Sequence, residues 1–268
     1  MSEFQVWYLS LSRVTRGLLV VYGAAFLAGF AVLWRIPLTA ELLDSQFVLS
    51  MLWWQKPWQL ATYSLIHPAS FGGLIHLAFG LFWLYWIGRD LEDLRGPGLM
   101  LSLWGFVVVV GGLLAALAAP VLGLEMFVFT GIWAGVIGVM VAVCLWFPDR
   151  RIRLFLVGSV RLWYVVAALV VLELLRPASG LVSVGGAAGA WLFVWLDQRG
   201  ADLHTWADRL LGSSGRPRAL RHAEERRPTA APDTHPDEVD RILDKINAEG
   251  MDALTGAERK VLEDASRQ

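Results

Sequence analysis

Cysteine is almost absent. Cys144 stands alone in 268 residues, which excludes an intrachain disulfide framework and any zinc site built on cysteines. Histidine is nearly as scarce: there are five, and none falls between His76 and His204, so that whole stretch lacks an imidazole to serve as base or ligand. Charge is thin and uneven, because 26 of the 47 Asp, Glu, Lys and Arg residues lie after Asp197 and only 21 are left for the first 197 positions. With a net charge of −1 and no basic domain standing apart, nothing points to nucleic acid. Apolar residues are what abounds. They make up 56% of the chain, with a mean hydropathy of +0.52, against roughly 45–50% in soluble domains. An ordinary soluble enzyme is excluded, and a multi-pass membrane protein with a small polar tail remains.

Crossing a hydrocarbon core of ~30 Å takes about 20 apolar residues, fewer where neighbours shield a short helix. Six stretches are predicted as spans, near Gly17–Trp34, Gly72–Ile87, Leu99–Val121, Met126–Phe147, Leu162–Leu175 and Gly180–Leu196. The first keeps bulky side chains through to Trp34 and lacks a small-residue cleavage site, so it reads as a retained helix rather than a signal peptide. Arginines set the orientation, since they resist translocation. Arg13, Arg16, Arg89, Arg95, Arg150, Arg151, Arg153, Arg161, Arg199 and Arg209 all fall on one side, which places both termini in the cytoplasm. The apolar segment from Phe47 to Trp54, on the other side, is expected to lie partly embedded in the outer headgroup zone. Gly131, Gly135 and Gly138 on span four and Gly185, Gly186 and Gly189 on span six predict two small-faced helices that meet. Glu125 and Glu173 fall near span ends; the absence of charge mid-span disfavours an ion-coupled transporter.

The order of motifs resembles the rhomboid family of intramembrane serine proteases. The residues that carry the resemblance are Trp58-Gln59-Leu60-Ala61-Thr62, His67, His76-Leu77 and, most specifically, Gly88-Arg89-Asp90-Leu91-Glu92. The resemblance implies an all-α membrane protein, a six-transmembrane-helix bundle with span four short and central around a cavity that opens outward. It also implies a bacterial inner-membrane location. In active relatives a serine in Gly-x-Ser-Gly on span four is the nucleophile, a histidine on span six its base, and a histidine and an asparagine on span two help form the oxyanion hole. Acyl transfer needs such a set: an activated hydroxyl, a base within reach and donors at the developing oxyanion.

This chain departs at each chemical position. Gly131-Ile132-Trp133-Ala134-Gly135 aligns with the span-four motif and puts Trp133 at the nucleophile position. Ser183-Val184-Gly185-Gly186 aligns with the span-six motif and puts Ser183 at the base position. On span two His76 is kept, and Gly80 stands where the asparagine belongs. Tryptophan cannot attack a carbonyl, and a serine hydroxyl is no base near neutrality. Span four holds no serine, and Thr130 and Cys144 are misplaced as substitutes. The expectation is therefore a pseudoprotease with no catalytic residue and no cofactor. The alternative is a divergent active endopeptidase whose dyad has moved to His76 and Ser183. His67 and His76 have no partners at ligand spacing, so no metal site is expected, and His67, before Pro68, reads as a loop or helix-start residue. Two roles are open to Trp133: donating its indole N–H to Ser183, or simply packing.

Three domains are read: 1–197 the membrane domain, 198–235 a polar, partly basic linker, and 236–268 a cytoplasmic helical hairpin. In the last, Val239, Ile242, Leu243 and Ile246 recur at helical spacing, Gly250 stops the first helix, and Thr255 with Glu258 forms a capping box for the second. This segment resembles a module appended to bacterial rhomboid-like proteins. The expected partners are the lipid bilayer, transmembrane segments of client proteins lying against spans two and five, and a cytoplasmic factor docked on the hairpin.

Overall fold

A computed structural model describes residues 12–35, 46–124, 126–154, 158–175, 177–213 and 236–266. Residues 1–219 form one compact unit and 220–268 another. The first unit runs α1 (Arg13–Arg35), β1 (Leu49–Ser50), α2 (Gln59–Thr62), a 3-10 turn (Tyr63–Leu65) and α3 (Phe71–Trp83). From α3 the chain continues through a π turn (Leu84–Gly88) into α4 (Arg89–Arg95), then α5 (Pro97–Val121), β2 (Val128–Phe129) and α6 (Trp133–Trp146). A β3 (Arg151–Leu154) and β4 (Gly158–Arg161) hairpin leads to α7 (Leu162–Leu174), α8 (Pro177–Gln198) and α9 (Thr205–Leu211). Among the described residues, four helical stretches are long and apolar enough to cross a membrane: Arg13–Phe30, Phe71–Arg95, Pro97–Val121 and Gly180–Gln198. The apolar helices α6 and α7 are shorter.

Helix α6 is the centre. Residues 133 to 144 are all buried, and the surrounding helices α5, α7 and α8 shield it. A fully shielded helix need not present an apolar stripe or span the full hydrocarbon depth, which is why a 14-residue segment suffices here. Small residues let its neighbours close in. A Cβ on Gly135 would lie 2.6 Å from the Trp104 ring, and one on Gly138 would lie 2.7 Å from Val107 Cβ. The predicted meeting of the two glycine-rich helices is present, since Gly186 of α8 lies against the Ala134 backbone of α6.

The arginine-rich ends of the helices converge. Glu92 of α4 is 4% exposed and caps α1, accepting from the Val14 and Thr15 N–H groups at 2.9 and 2.8 Å and from the Thr15 hydroxyl at 2.9 Å. A carboxylate at a helix N-terminus satisfies orphan donors and meets the positive end of the helix dipole. At the same end Arg95 pairs with Asp197 at 2.6 Å, and Arg150 pairs with Asp90. Gly96, at φ +94°, ends α4, and Pro97 starts α5 where a missing N–H costs nothing. The Gly-Arg-x-Leu-Glu run is thus the knot that ties spans one, two and three together.

Three sequence expectations are corrected. Span four does not begin at Met126: Val128 and Phe129 are extended and pair antiparallel with Ser50 and Leu49, and the helix starts only after Gly131 reverses the chain at φ +103°. That ladder also ties the apolar segment 47–54 to the start of α6. Val48 and Leu49 are buried within the unit, leaving Met51, Leu52 and Trp54 outward. The two short ladders further qualify the all-α reading. Finally, the expected linker is folded at its start, because α9 packs on α5 and buries Ala207 and Asp208, with Asp208 accepting from Ser213 Oγ at 2.6 Å. Apolar Leu203, Ala207 and Leu211 drive this burial, although the charges around them dominate the composition. Residues 214–235, the rest of that stretch, lie outside the described residues, as does Glu125.

The second unit holds α10 (Pro236–Glu249), a 3-10 turn (Met251–Ala253) and α11 (Gly256–Ser266). The capping box is formed: Thr255 N–H and Oγ each donate to Glu258 Oε2 at 2.9 Å, and Glu258 N–H donates to Thr255 Oγ at 3.4 Å. These bonds, with Lys245 Nζ at 3.1 Å, hold the Glu258 carboxyl down at about 2.

Candidate functional site

The site lies where the loop carrying β1 and His67 meets the start of α6. The Gly131 N–H donates to the Tyr63 carbonyl at 3.1 Å, and Tyr63 donates its own hydroxyl to the Val108 carbonyl at 2.9 Å. The Ile132 N–H donates to His67 Nε2 at 3.2 Å, so His67 must carry its proton on Nδ1, which faces the Leu65 carbonyl at 3.3 Å. His67 is therefore more than a helix-start residue: it accepts one of the orphan donors at the head of α6. Nothing in the sequence signalled this role, because the bond spans 65 positions.

Burial pushes His67 down to about 4 from 6.5, outweighing the Leu65 hydrogen bond, which raises it; His76 nearby lowers it further. The folded state thus binds fewer protons than the unfolded state between those values, and stability must fall as pH drops through that window, by about 3 kcal/mol in total. Thermal unfolding of the solubilised protein between pH 7.5 and 4.5 checks this. His67→Gln, whose amide oxygen still accepts from Ile132, is expected to show a flatter profile, and equal profiles would refute the assignment.

Trp133 is the first residue of α6 and is 4% exposed. Its ring packs 5.6 Å from the His76 ring and 5.8 Å from Phe79, both on α3. Gly80, one turn beyond His76, makes room for this: a Cβ there would collide with Ile132 Cγ2 and lie 3.9 Å from Trp133 Nε1. The space a larger residue at position 80 would need is already filled from α6. The structure therefore brings together Trp133, His76 and Gly80.

Ser183 is fully buried on α8, one turn before Gly186. The hydrogen bond weighed between Trp133 and Ser183 is not formed, for neither the indole N–H nor the Ser183 hydroxyl has a partner. Trp133 packs instead, held by ring contacts rather than by one bond. Glu173 adds what sequence reasoning missed. It is 8% exposed near the end of α7, with Oε1 3.8 Å from His76 Nε2, an ion-pair distance too long for a hydrogen bond. Its Oε2 and His76 Nε2 lack hydrogen-bond partners. An acidic residue in an otherwise uncharged apolar helix was the available signal; its position was legible but its direction was not.

A cavity of about 600 Å³ opens beside this cluster, lined by residues including Ser50, Lys56, His67, Pro68, Val128 and Thr130. Trp133, His76, Gly80 and Ser183 are not among its lining residues. No group of three or more His, Cys, Asp or Glu side chains could hold a metal among the described residues.

A central buried helix inside a ring of apolar helices, with polar groups gathered at its N-terminal end, defines an integral membrane protein. Comparison with known families goes further: a rhomboid-domain model matches residues 55–200, more than half of the chain, and the chain belongs to the rhomboid family. Residues 233–268 match a family of unknown function (DUF6576). No curated protein matches the chain.

Proposed function

We propose that this protein is an inactive rhomboid, a six-span membrane protein that binds transmembrane segments of clients without cutting them. The observation that carries the reading is Trp133. Aligned with the family's nucleophile, it supplies no hydroxyl, and its indole fills the space between α3 and α6 against His76 and Phe79. Ser183, aligned with the base, is buried with no partner and has no affinity for a proton near neutrality. Two substitutions in the dyad leave acyl transfer with neither attack nor proton transfer. Client helices would lie against the outward apolar faces of α3 and α7, where Phe71, Ile75 and Phe82, and Tyr164 and Leu172, are exposed. The hairpin, too small to be strongly stable alone, would recruit a cytoplasmic partner.

The rival reading, an active endopeptidase with a dyad of His76 and Ser183, is tested by the same experiment. Purified protein is incubated with a fluorophosphonate probe beside Ser183→Ala, His76→Ala and a Trp133→Ser/Ser183→His double variant. Wild type is expected to remain unlabelled. Labelling that vanishes in Ser183→Ala would overturn the proposal, and labelling gained in the double variant would show that the active-site geometry persists. Crosslinking across α3 and α7 in membranes tests client binding, which capture of no protein above background would contradict.

A further inference from the structure

We infer that the arginine-rich end of the membrane unit carries a site for the phosphate of an anionic phospholipid, where the β3–β4 hairpin faces the end of span two. A cavity of about 420 Å³ lies there, lined by Arg89, Arg150, Arg151 and Arg153 together with Asp90 and Asp93. The two acids are already engaged. Asp90 pairs with Arg150, while Asp93 holds Arg89 at 3.7 Å and accepts from Ser12 Oγ at 2.9 Å. Arg161, across the ladder from Arg151, pairs with Asp149 at 3.4 Å. Arg151 and Arg153 have no acidic partner among the described residues. Two guanidinium groups are therefore left over, two residues apart on one strand and hence on one face, and buried Ile152 fixes that strand to the unit. Uncompensated arginines beside a bilayer surface attract anionic headgroups, and their planar forks suit phosphate oxygens.

The rest of the lining selects a lipid over a free phosphate. Trp86 and Ile87 border the cavity, and Trp86 packs 5.8 Å from Phe82, which in turn stacks 6.4 Å from Phe79. Phe82 and Phe79 are 48% and 45% exposed, so an apolar strip runs along α3 away from the arginines. A tryptophan at such a boundary, with charge on one side and exposed aromatics on the other, matches the headgroup and acyl portions of one lipid molecule. The site is independent of whether the protein cuts peptides.

The test counts phosphatidylglycerol molecules retained by the full chain in native mass spectrometry, after reconstitution in phosphatidylcholine with graded phosphatidylglycerol. Arg151→Gln/Arg153→Gln is expected to bind phosphatidylglycerol about 30-fold more weakly. An equal removal of charge elsewhere at the same end, Arg199→Gln/Arg209→Gln, is expected to stay close to wild type. Equal loss in both variants, or loss in neither, would overturn the site, as would displacement of the lipid by millimolar inorganic phosphate. A measurement on the unaltered hairpin guards against misfolding of the variant. Quenching of Trp86, read as the difference from Trp86→Phe, is expected to be stronger with brominated phosphatidylglycerol than with brominated phosphatidylcholine, and equal quenching would also overturn the proposal.

Discussion

Gly186→Ala is expected to lower the melting temperature of the solubilised protein by about 10 °C, corresponding to about 3 kcal/mol, although a single methyl group is added. The reason is what the methyl would meet. A Cβ at position 186 would overlap the Ala134 carbonyl oxygen and lie 2.8 Å from Ala134 Cα, and these are backbone atoms that cannot rotate away. The neighbouring Gly185 sits the same way on α5, where a Cβ would lie 3.1 Å from Gly111 Cα. Helix α8 is therefore wedged backbone to backbone between α5 and α6, and any side chain at this seam pushes the helices apart. In lipid, packing is the main force that joins helices, so the loss spreads to every contact along the seam. The sign makes the test sharp. Gly23→Ala on α1, where a Cβ would meet nothing within 4 Å, is expected to gain up to ~1 kcal/mol from helix propensity alone. Similar melting temperatures for the two variants would refute the wedge.

Glu92→Ala is expected to cost about 3 kcal/mol and to release the start of α1. Three hydrogen bonds converge on this one carboxylate, and its removal leaves the Val14 and Thr15 N–H groups and the Thr15 hydroxyl without their acceptor. Much of α1 faces outward, with Val20, Val21, Leu27 and Phe30 exposed, so few other contacts compensate. The Tyr22 hydroxyl bond to Ser64 Oγ at 2.9 Å, the Tyr22 ring contact with Trp104 and the Ser12 bond to Asp93 are among the contacts that would remain. Glu92→Gln keeps one acceptor oxygen and is expected to fall between Ala and wild type. Hydrogen exchange at residues 13–16 reads the release directly. Unchanged protection in Glu92→Ala would show that α1 is anchored elsewhere.

The sequence made some of this visible and hid the rest for physical reasons. Apolar length reveals a helix such as Pro97–Val121, predicted from Leu99, because lipid demands about 20 apolar residues. The Thr255 capping box was equally legible, since both its members lie within four residues. The true start of α6 was not. Met126 to Phe129 is as apolar as the helix that follows, and only pairing with a strand nearly eighty positions earlier makes it extended. The folded beginning of the expected linker was missed likewise, because Asp208 and Arg209 read as solvent-seeking until α5 is there to cover their helix.

At the site, the residue types came from the sequence and the spatial relations from the fold. Trp133, Ser183 and Gly80 are chemical identities read directly from the chain, and their proposed correspondence to the family's site rests on a spaced glycine motif. Whether a buried donor finds its acceptor depends on ångström-scale approach between helices far apart in the chain. So it was the tertiary structure that left the Trp133 N–H and Ser183 hydroxyl unpaired, set Glu173 facing His76 and gave His67 its bond to Ile132. The sequence by itself determined membrane residence and family pattern, because composition and local spacing carry those. Only the packed fold decided which buried polar groups meet, because hydrogen bonds and close contacts depend on distances that no local pattern encodes.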